Sequence, residues 1–184
     1  MLLKNVRLSY PHIFRPDKYD KNDPDEVAKY SAMLIMRKNH PQKAELNEAI
    51  KATMDEKWGG KKPSGVKICI RDGAEKADKD GFGDDVVFFN TSNETRPTVI
   101  DRDKSPLVES DGRPYAGCYV DATIDFWAQD NQWGKRVNAA LTGIQFRADG
   151  DAFGGGRPAS ADEFEDLSDD DAEEVSKETE DFMS

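Results

Sequence analysis

From Cys118 to Trp127 the chain alternates without interruption: Cys118, Val120, Ala122, Ile124 and Phe126 interleave with Tyr119, Asp121, Thr123, Asp125 and Trp127. Successive side chains of an extended strand point to opposite faces, so this run sets one apolar face against a core and one polar face toward solvent. A turn at Asp130-Asn131-Gln132-Trp133-Gly134 leads into a second run, Val137 to Phe146, and the two together predict a long hairpin. A chain built around such a hairpin belongs to a mainly β protein.

The same period recurs upstream. Val6, Leu8 and Tyr10 alternate with polar neighbours until Pro11, which is expected to end that strand. Residues 12–28 are polar and turn-rich and predict a long loop, and Tyr30 to Met36 reads as a second strand buried on both faces. Then the spacing changes. Leu46, Ala49, Ile50, Thr53, Met54 and Lys57 fall at three- and four-residue steps, which predicts a helix with Pro41 in its first turn and Gly59-Gly60 at its end. Strands resume at Val66-Ile68-Ile70, Val86–Phe89 and Thr98–Ile100. Strands, one helix, then more strands suit a small closed barrel with the helix packed on one end, not a parallel α/β sheet. One domain over residues 1–150 is expected, with 151–184 as a Gly-rich linker (Gly154-Gly155-Gly156) and a tail.

Charge sets that tail apart. Residues 159–184 carry twelve acids against one base, Lys177. Removing them from the chain's 37 acids and 26 bases leaves 25 of each, so the net charge of −11 belongs to the tail and the body is neutral. So dense a block of like charge is expected to be disordered. Phe164, Leu167, Val175, Phe182 and Met183 punctuate it, so it has the means to hold a basic groove or a partner protein. No apolar run is long enough for a membrane helix and no signal sequence opens the chain. Cys69 and Cys118 sit far apart in apolar runs and read as buried free thiols, which fits a cytoplasmic protein.

Enzyme signatures are missing. There is no phosphate-binding Gly-rich loop opening a helix, and His12 and His40 have no short-spaced partner for zinc or for a nucleophile. Asp78–Asp85 resembles the start of a calcium loop, but Phe82 and Phe89 stand where ligands are needed, so it reads as a solvated turn. Neither metal nor cofactor is expected. Aromatic residues beside bases are more informative: Arg71 near Lys76, Phe88-Phe89 ahead of Arg96, and Trp133 followed by Lys135-Arg136. Single strands are held this way, with rings stacking on bases and cations tracking phosphates. Phe88 and Phe89 point to opposite faces, so one is core and Phe89 is assigned to the ligand. Tyr119 and Trp127 share the polar face of their strand and join the set.

The order of short motifs resembles one family. Lys29-Tyr30-Ser31-Ala32, Ile70 to Lys76, Asn90 to Pro97, Tyr115 to Tyr119, Leu141 to Gln145 and Phe153 to Arg157 follow one another as in the single-stranded-DNA-binding proteins of tailed phages. The resemblance implies an OB-fold-like closed barrel with one packed helix and a disordered acidic C-terminal tail. It also implies a binding protein that coats ssDNA in the host cytoplasm during replication or recombination. Tails of this kind recruit replication or recombination proteins, which assigns that role here to Asp169, Asp170, Asp171, Glu180, Asp181 and Phe182. The resemblance supplies no catalytic residue. Two other readings stand beside it: an acidic DNA mimic or adaptor that binds protein only, and a metal-dependent nuclease using Asp101, Asp103, Asp121 and Asp125.

Overall fold

The first strand, β1, runs from Leu2 to Asp17 and passes straight through Pro11. It does so by bulging. Register with the next strand slips by one residue between Ser9 and His12, and Tyr10 takes a left-handed φ of +45° there. At a bulge one residue drops out of the ladder, so a proline without an N–H is tolerated. The expected end of the strand at Pro11 is thus overturned, and the connecting loop shrinks to residues 18–28. A second bulge at Asn5 (φ +54°) is held by Asp121, whose Oδ1 accepts the Asn5 N–H at 2.8 Å.

β2 (Lys29–Arg37) pairs antiparallel with β1 and with β5 (Val86–Asn93). Between β2 and β5 lie helix α1 (Lys43–Trp58) and two short strands, β3 (Lys67–Ile68) and β4 (Ile70–Asp72). Pro41 stands outside the helix, which begins after Gln42; just ahead of it His40 Nδ1 accepts the Gln42 N–H at 3.1 Å. Its end is as expected: Gly59 adopts φ +64° and returns its N–H to Asp55 O at 2.8 Å. The run Val66–Ile70 is two strands, not one. It breaks at Cys69, with β3 parallel to β8 and β4 antiparallel to β5. After β6 (Thr98–Ile100) come β7 (Tyr119–Asn131) and β8 (Gly134–Ala148), paired from end to end as the predicted hairpin.

β8, β7, β1, β2 and β5 follow one another in the sheet, and β5 returns to β8 through a parallel contact of Thr91 with Ala139. Five strands therefore close into a barrel with one packed helix. Closure removes the open edges that a sheet of this length would otherwise present. The interior holds Leu3, Val6, Leu8, Leu34, Phe89, Val120, Ile124, Leu141 and Ile144, all at most 1% exposed. Leu46 and Ile50 of α1 plug into the same core. Thr91, a polar residue on this inner face, donates its hydroxyl to Ala32 O at 2.9 Å.

Phe89 is fully buried in the main core and Phe88 in a second cluster with Ile35 and Val86 on the outer face. Both rings of the pair are core. The assignment of Phe89 to a ligand is therefore corrected: its ring points into the barrel, and the outer ring, Phe88, is covered by the segment 73–85 through Phe82. Phe126 is half-buried and packs against the core edge.

This computed structural model describes residues 1–154 and 163–165. Within that range the packed body continues past residue 150. Phe153 donates its N–H to Ala116 O at 3.0 Å, and its ring joins the second cluster, so Ala152–Gly154 belong to the body and not to a linker. The tail positions Asp169, Asp170, Asp171, Glu180, Asp181 and Phe182 lie outside the described residues.

Candidate nucleic-acid interface

In β2 and β5 the residues turned away from the barrel are Lys29, Ser31 and Met33 on one strand and Asn90 and Ser92 on the other. These short polar groups form the floor of a trough. At one end, loop 18–28 rises beside it, bringing Lys18, Tyr19 and Lys21; at the other, the β7–β8 hairpin brings Trp127, Gln129, Arg136 and Asn138. Two clefts of about 780 and 610 Å³ make up the trough, and they share Lys29, Arg71, Asn90 and Ser92. In an OB-type barrel the second and third barrel strands, flanked by the first and last loops, form the face that takes oligonucleotides. Here those strands are β2 and β5, and those loops are 18–28 and the hairpin tip at Gln132-Trp133.

Charge is separated along it. The cleft beside the hairpin is lined by Lys29, Lys67, Arg71 and Arg136 and by no carboxylate residue. A neutral body thus carries a local cationic track, which the totals concealed. Arg71 is positioned by Glu75, which accepts from its Nε at 2.9 Å, and both Arg71 and Lys76 lie over the outer side of Phe88, 5.4 and 5.9 Å from the ring centroid. Exposed rings stand at both ends: Tyr10 and Tyr19 by the loop, Trp127 and Trp133 on the hairpin, with Tyr19 almost wholly exposed. Such rings offer stacking faces to bases.

Of the residues singled out from sequence, the structure brings Arg71, Lys76, Trp127 and Arg136 together in this trough, with Trp133 at the hairpin tip. Tyr119, Lys135 and Arg96 lie elsewhere. Tyr119 packs at a separate cleft beneath Arg7, whose guanidinium is 5.6 Å from its ring centroid. Lys135 turns to the back of the hairpin, 3.7 Å from Asp130. Arg96 is exposed in the turn after β5, outside the trough lining. The sequence reading missed Tyr10, Lys18, Tyr19, Lys21, Lys29, Lys67, Asn90 and Ser92. Lys18-Tyr19 with Lys21 repeats the ring-beside-bases pattern that drew attention to Trp133. Lys29 and Lys67 are single bases at strand ends, and only the fold brings them together.

Three of the four carboxylates proposed for a nuclease are engaged in structure, and the fourth, Asp125, is exposed with its Oδ1 3.9 Å from the Met1 ammonium. Asp121 receives Arg147 Nη1 on both oxygens at 3.0 and 3.1 Å, and Asp101 pairs with Arg113 at 2.6 Å. Asp103 accepts from both Ser105 N and Oγ, and these bonds hold its carboxyl below the usual carboxylate range. Among the described residues, no three His, Cys, Asp or Glu side chains gather as a metal site would require. Cys69 and Cys118 are free thiols; burial pushes the Cys69 thiol, on the trough wall, up to about 11 and Cys118 to about 12. No helix among the described residues is long and apolar enough to cross a membrane.

The chain is similar to known proteins in both sequence and shape. It is 42% identical over 176 residues to putative protein p50 of Acyrthosiphon pisum secondary endosymbiont phage 1, covering 90% of this chain and 92% of that one. Its fold matches the single-stranded DNA-binding protein of bacteriophage Enc34 in complex with ssDNA, with a TM-score of 0.71 and 31% identity over 83% of this chain and 88% of the other. It also matches gp2.5, a single-stranded DNA-binding protein of bacteriophage T7, with a TM-score of 0.57 over 90% of this chain and 95% of the other; at 15% identity that likeness is one of fold. These relatives of known structure are binding proteins, not enzymes. The family model described as the ssDNA-binding protein of Enterobacter phage Enc34 matches residues 1–176, and the chain belongs to that family.

Proposed function

We propose that this protein binds single-stranded DNA in the trough between loop 18–28 and the β7–β8 hairpin, without strong sequence preference, and coats it during phage replication or recombination in the host cytoplasm. One observation carries the reading: four cations and an exposed indole line the hairpin end of an OB-type face with no carboxylate residue among them. Phosphates meet Lys29, Lys67, Arg71 and Arg136, while bases stack on Trp127 and Trp133. Duplex DNA offers no free ring faces to these indoles, so the trough favours single strands. Fluorescent oligonucleotides of mixed sequence and of poly-dT, titrated at two salt concentrations, test it. Both should bind, more weakly as salt rises. Failure to bind at low salt, or binding of one sequence alone, overturns the proposal in favour of an adaptor that binds only protein.

The acidic tail extends this function in two ways. Its twelve carboxylates, tethered to the body, compete with phosphates for the same cations at an effective concentration on the order of millimolar. They also offer replication or recombination proteins an acidic docking segment that includes Asp169, Asp170, Asp171, Glu180, Asp181 and Phe182. Removing residues 159–184 should tighten ssDNA binding at low salt, with the gain fading as salt screens the tail. The same deletion should abolish capture of those partners. Equal affinities at every salt concentration would refute the competition.

A further inference from the structure

The hairpin that walls the trough is reached by helix α1 from its other side. Along β7, Trp127 and Gln129 share one face, and Phe126, Ala128 and Asp130 share the opposite one. Cross-strand register carries the division into β8: Asn138 faces Trp127 and Arg136 faces Gln129 on the trough side, while Lys135 faces Asp130 on the back. On that back face Trp58, the last residue of α1, donates its indole Nε1–H to Asp130 Oδ2 at 3.0 Å. Lys135 Nζ lies 3.7 Å from the same oxygen. One carboxylate thus links both strands of the hairpin, three residues before Trp133, to a helix anchored in the core by Leu46 and Ile50.

The outer part of the hairpin has little else to steady it. Its last rungs run from Gln129–Arg136 to Asn131–Gly134, and among the described residues the backbone pairing that reaches them from outside is Lys67 with Arg136. A two-stranded arm is marginal by itself, so a lateral tether decides the angle at which it stands. An indole suits that task. The ring packs against the core cluster, which fixes the direction of its N–H, and a charged acceptor strengthens the bond.

We propose that Trp58 is a positioning residue for ssDNA binding, bracing the hairpin through Asp130 and so setting the width of the trough. The inference rests on the ssDNA reading given above. Trp58 is not part of the trough lining; it holds Trp127, Trp133 and Arg136 where a single strand meets them. A braced arm loses less freedom on binding, and that saving appears mainly as slower release.

The full-length chain tests it. Trp58→Phe keeps an aromatic ring against the core and removes the donor; Asp130→Ala removes the acceptor. Release of a fluorescent poly-dT oligonucleotide is followed by stopped flow for the wild type, each variant and the double variant, with the salt dependence of affinity and amide hydrogen exchange across residues 128–137. Each single variant should release DNA about three- to tenfold faster, and the double variant no faster than the faster single one. The salt slope of Trp58→Phe should stay close to that of wild type, because every cation of the trough is retained and only the freedom of the arm changes, and exchange in the hairpin should accelerate. Val99→Ala, which weakens the core on β6, away from α1 and the hairpin tip, serves as the stability control. Release from Trp58→Phe at the wild-type rate, multiplicative effects in the double variant, or equal acceleration in Val99→Ala would overturn the brace. A wild-type protein that holds no oligonucleotide would overturn the ssDNA reading itself.

Discussion

The guanidinium of Arg7 lies 4.4 Å from the ring centroid of Phe153, clamping the end of the described body onto the first strand of the barrel. Arg7 is fixed on both flanks: its Nε donates to Gly117 O and its Nη2 to Asp151 O, each at 2.9 Å, and Tyr119 lies on its other side. At the Cζ tip of the Phe153 ring stands Gly81, with φ +82° and no room for a side chain, since a Cβ there would come within 2.3 Å of the ring.

Gly81→Ala should therefore expel Phe153 as well as strain a left-handed backbone position. We expect a loss of about 1–3 kcal/mol of stability, and in the double variant a loss smaller than the sum of the two single ones, because only the backbone strain is left to add once the Phe153 ring is gone. Chemical denaturation of the three variants measures this. Additive losses would show that Gly81 and Phe153 act independently.

Trp133 is 73% exposed at the hairpin tip, whereas Phe88 is fully buried. Trp133→Ala should weaken ssDNA binding by about 1–3 kcal/mol and leave the melting temperature unchanged. Phe88→Ala should do the reverse, costing about 3–5 kcal/mol of stability. Paired melting curves and binding isotherms distinguish the two. An early-melting Trp133→Ala with normal affinity would remove the tip from the binding face.

Lys29 and Lys67 line the trough and Arg96 does not. Replacing either lysine by alanine should lower the slope of log affinity against log salt by about 0.7, the value for one phosphate contact on a single strand. Arg96→Ala should leave the slope unchanged. Titrations at four or more salt concentrations check this, and a reversed ranking would place the DNA elsewhere.

Alkali should destabilise the fold. Burial pushes the Cys69 thiol up to about 11 and Cys118 to about 12; the Tyr115 hydroxyl, desolvated and donating to Asp149 at 2.7 Å, rises to about 12. Unfolded, these groups release their protons at about 8.5 and 10. The folded state therefore binds more protons above that range, and stability falls as pH rises from about 8.5 toward 12. Melting temperatures at pH 8, 9.5 and 11 should decline, with a shallower slope for Tyr115→Phe. Alkylation of both cysteines in the native protein at pH 8 should be slow, because the thiolate is the reactive form.

Local patterning determined the long hairpin and the end of the helix by itself. The pairing of Cys118–Trp127 with Val137–Phe146 follows from period-two patterning, and the end of α1 from Gly59, because both depend on local backbone geometry. The sequence also separated an acidic tail from a neutral body. It did not show that Pro11 lies inside a strand, because the bulge that accommodates it exists only when β1 is paired with β2. Phe88 and Phe89 illustrate the same limit: Phe89 points into the barrel, and whether the outer ring, Phe88, stays bare depends on what packs over the sheet, where the covering segment, 73–85, is irregular and largely polar. The cationic track was hidden for the most physical of reasons. Lys29, Lys67, Arg71 and Arg136 are scattered over more than a hundred residues of a charge-balanced body, and closure of β5 onto β8 is what assembles them along one face.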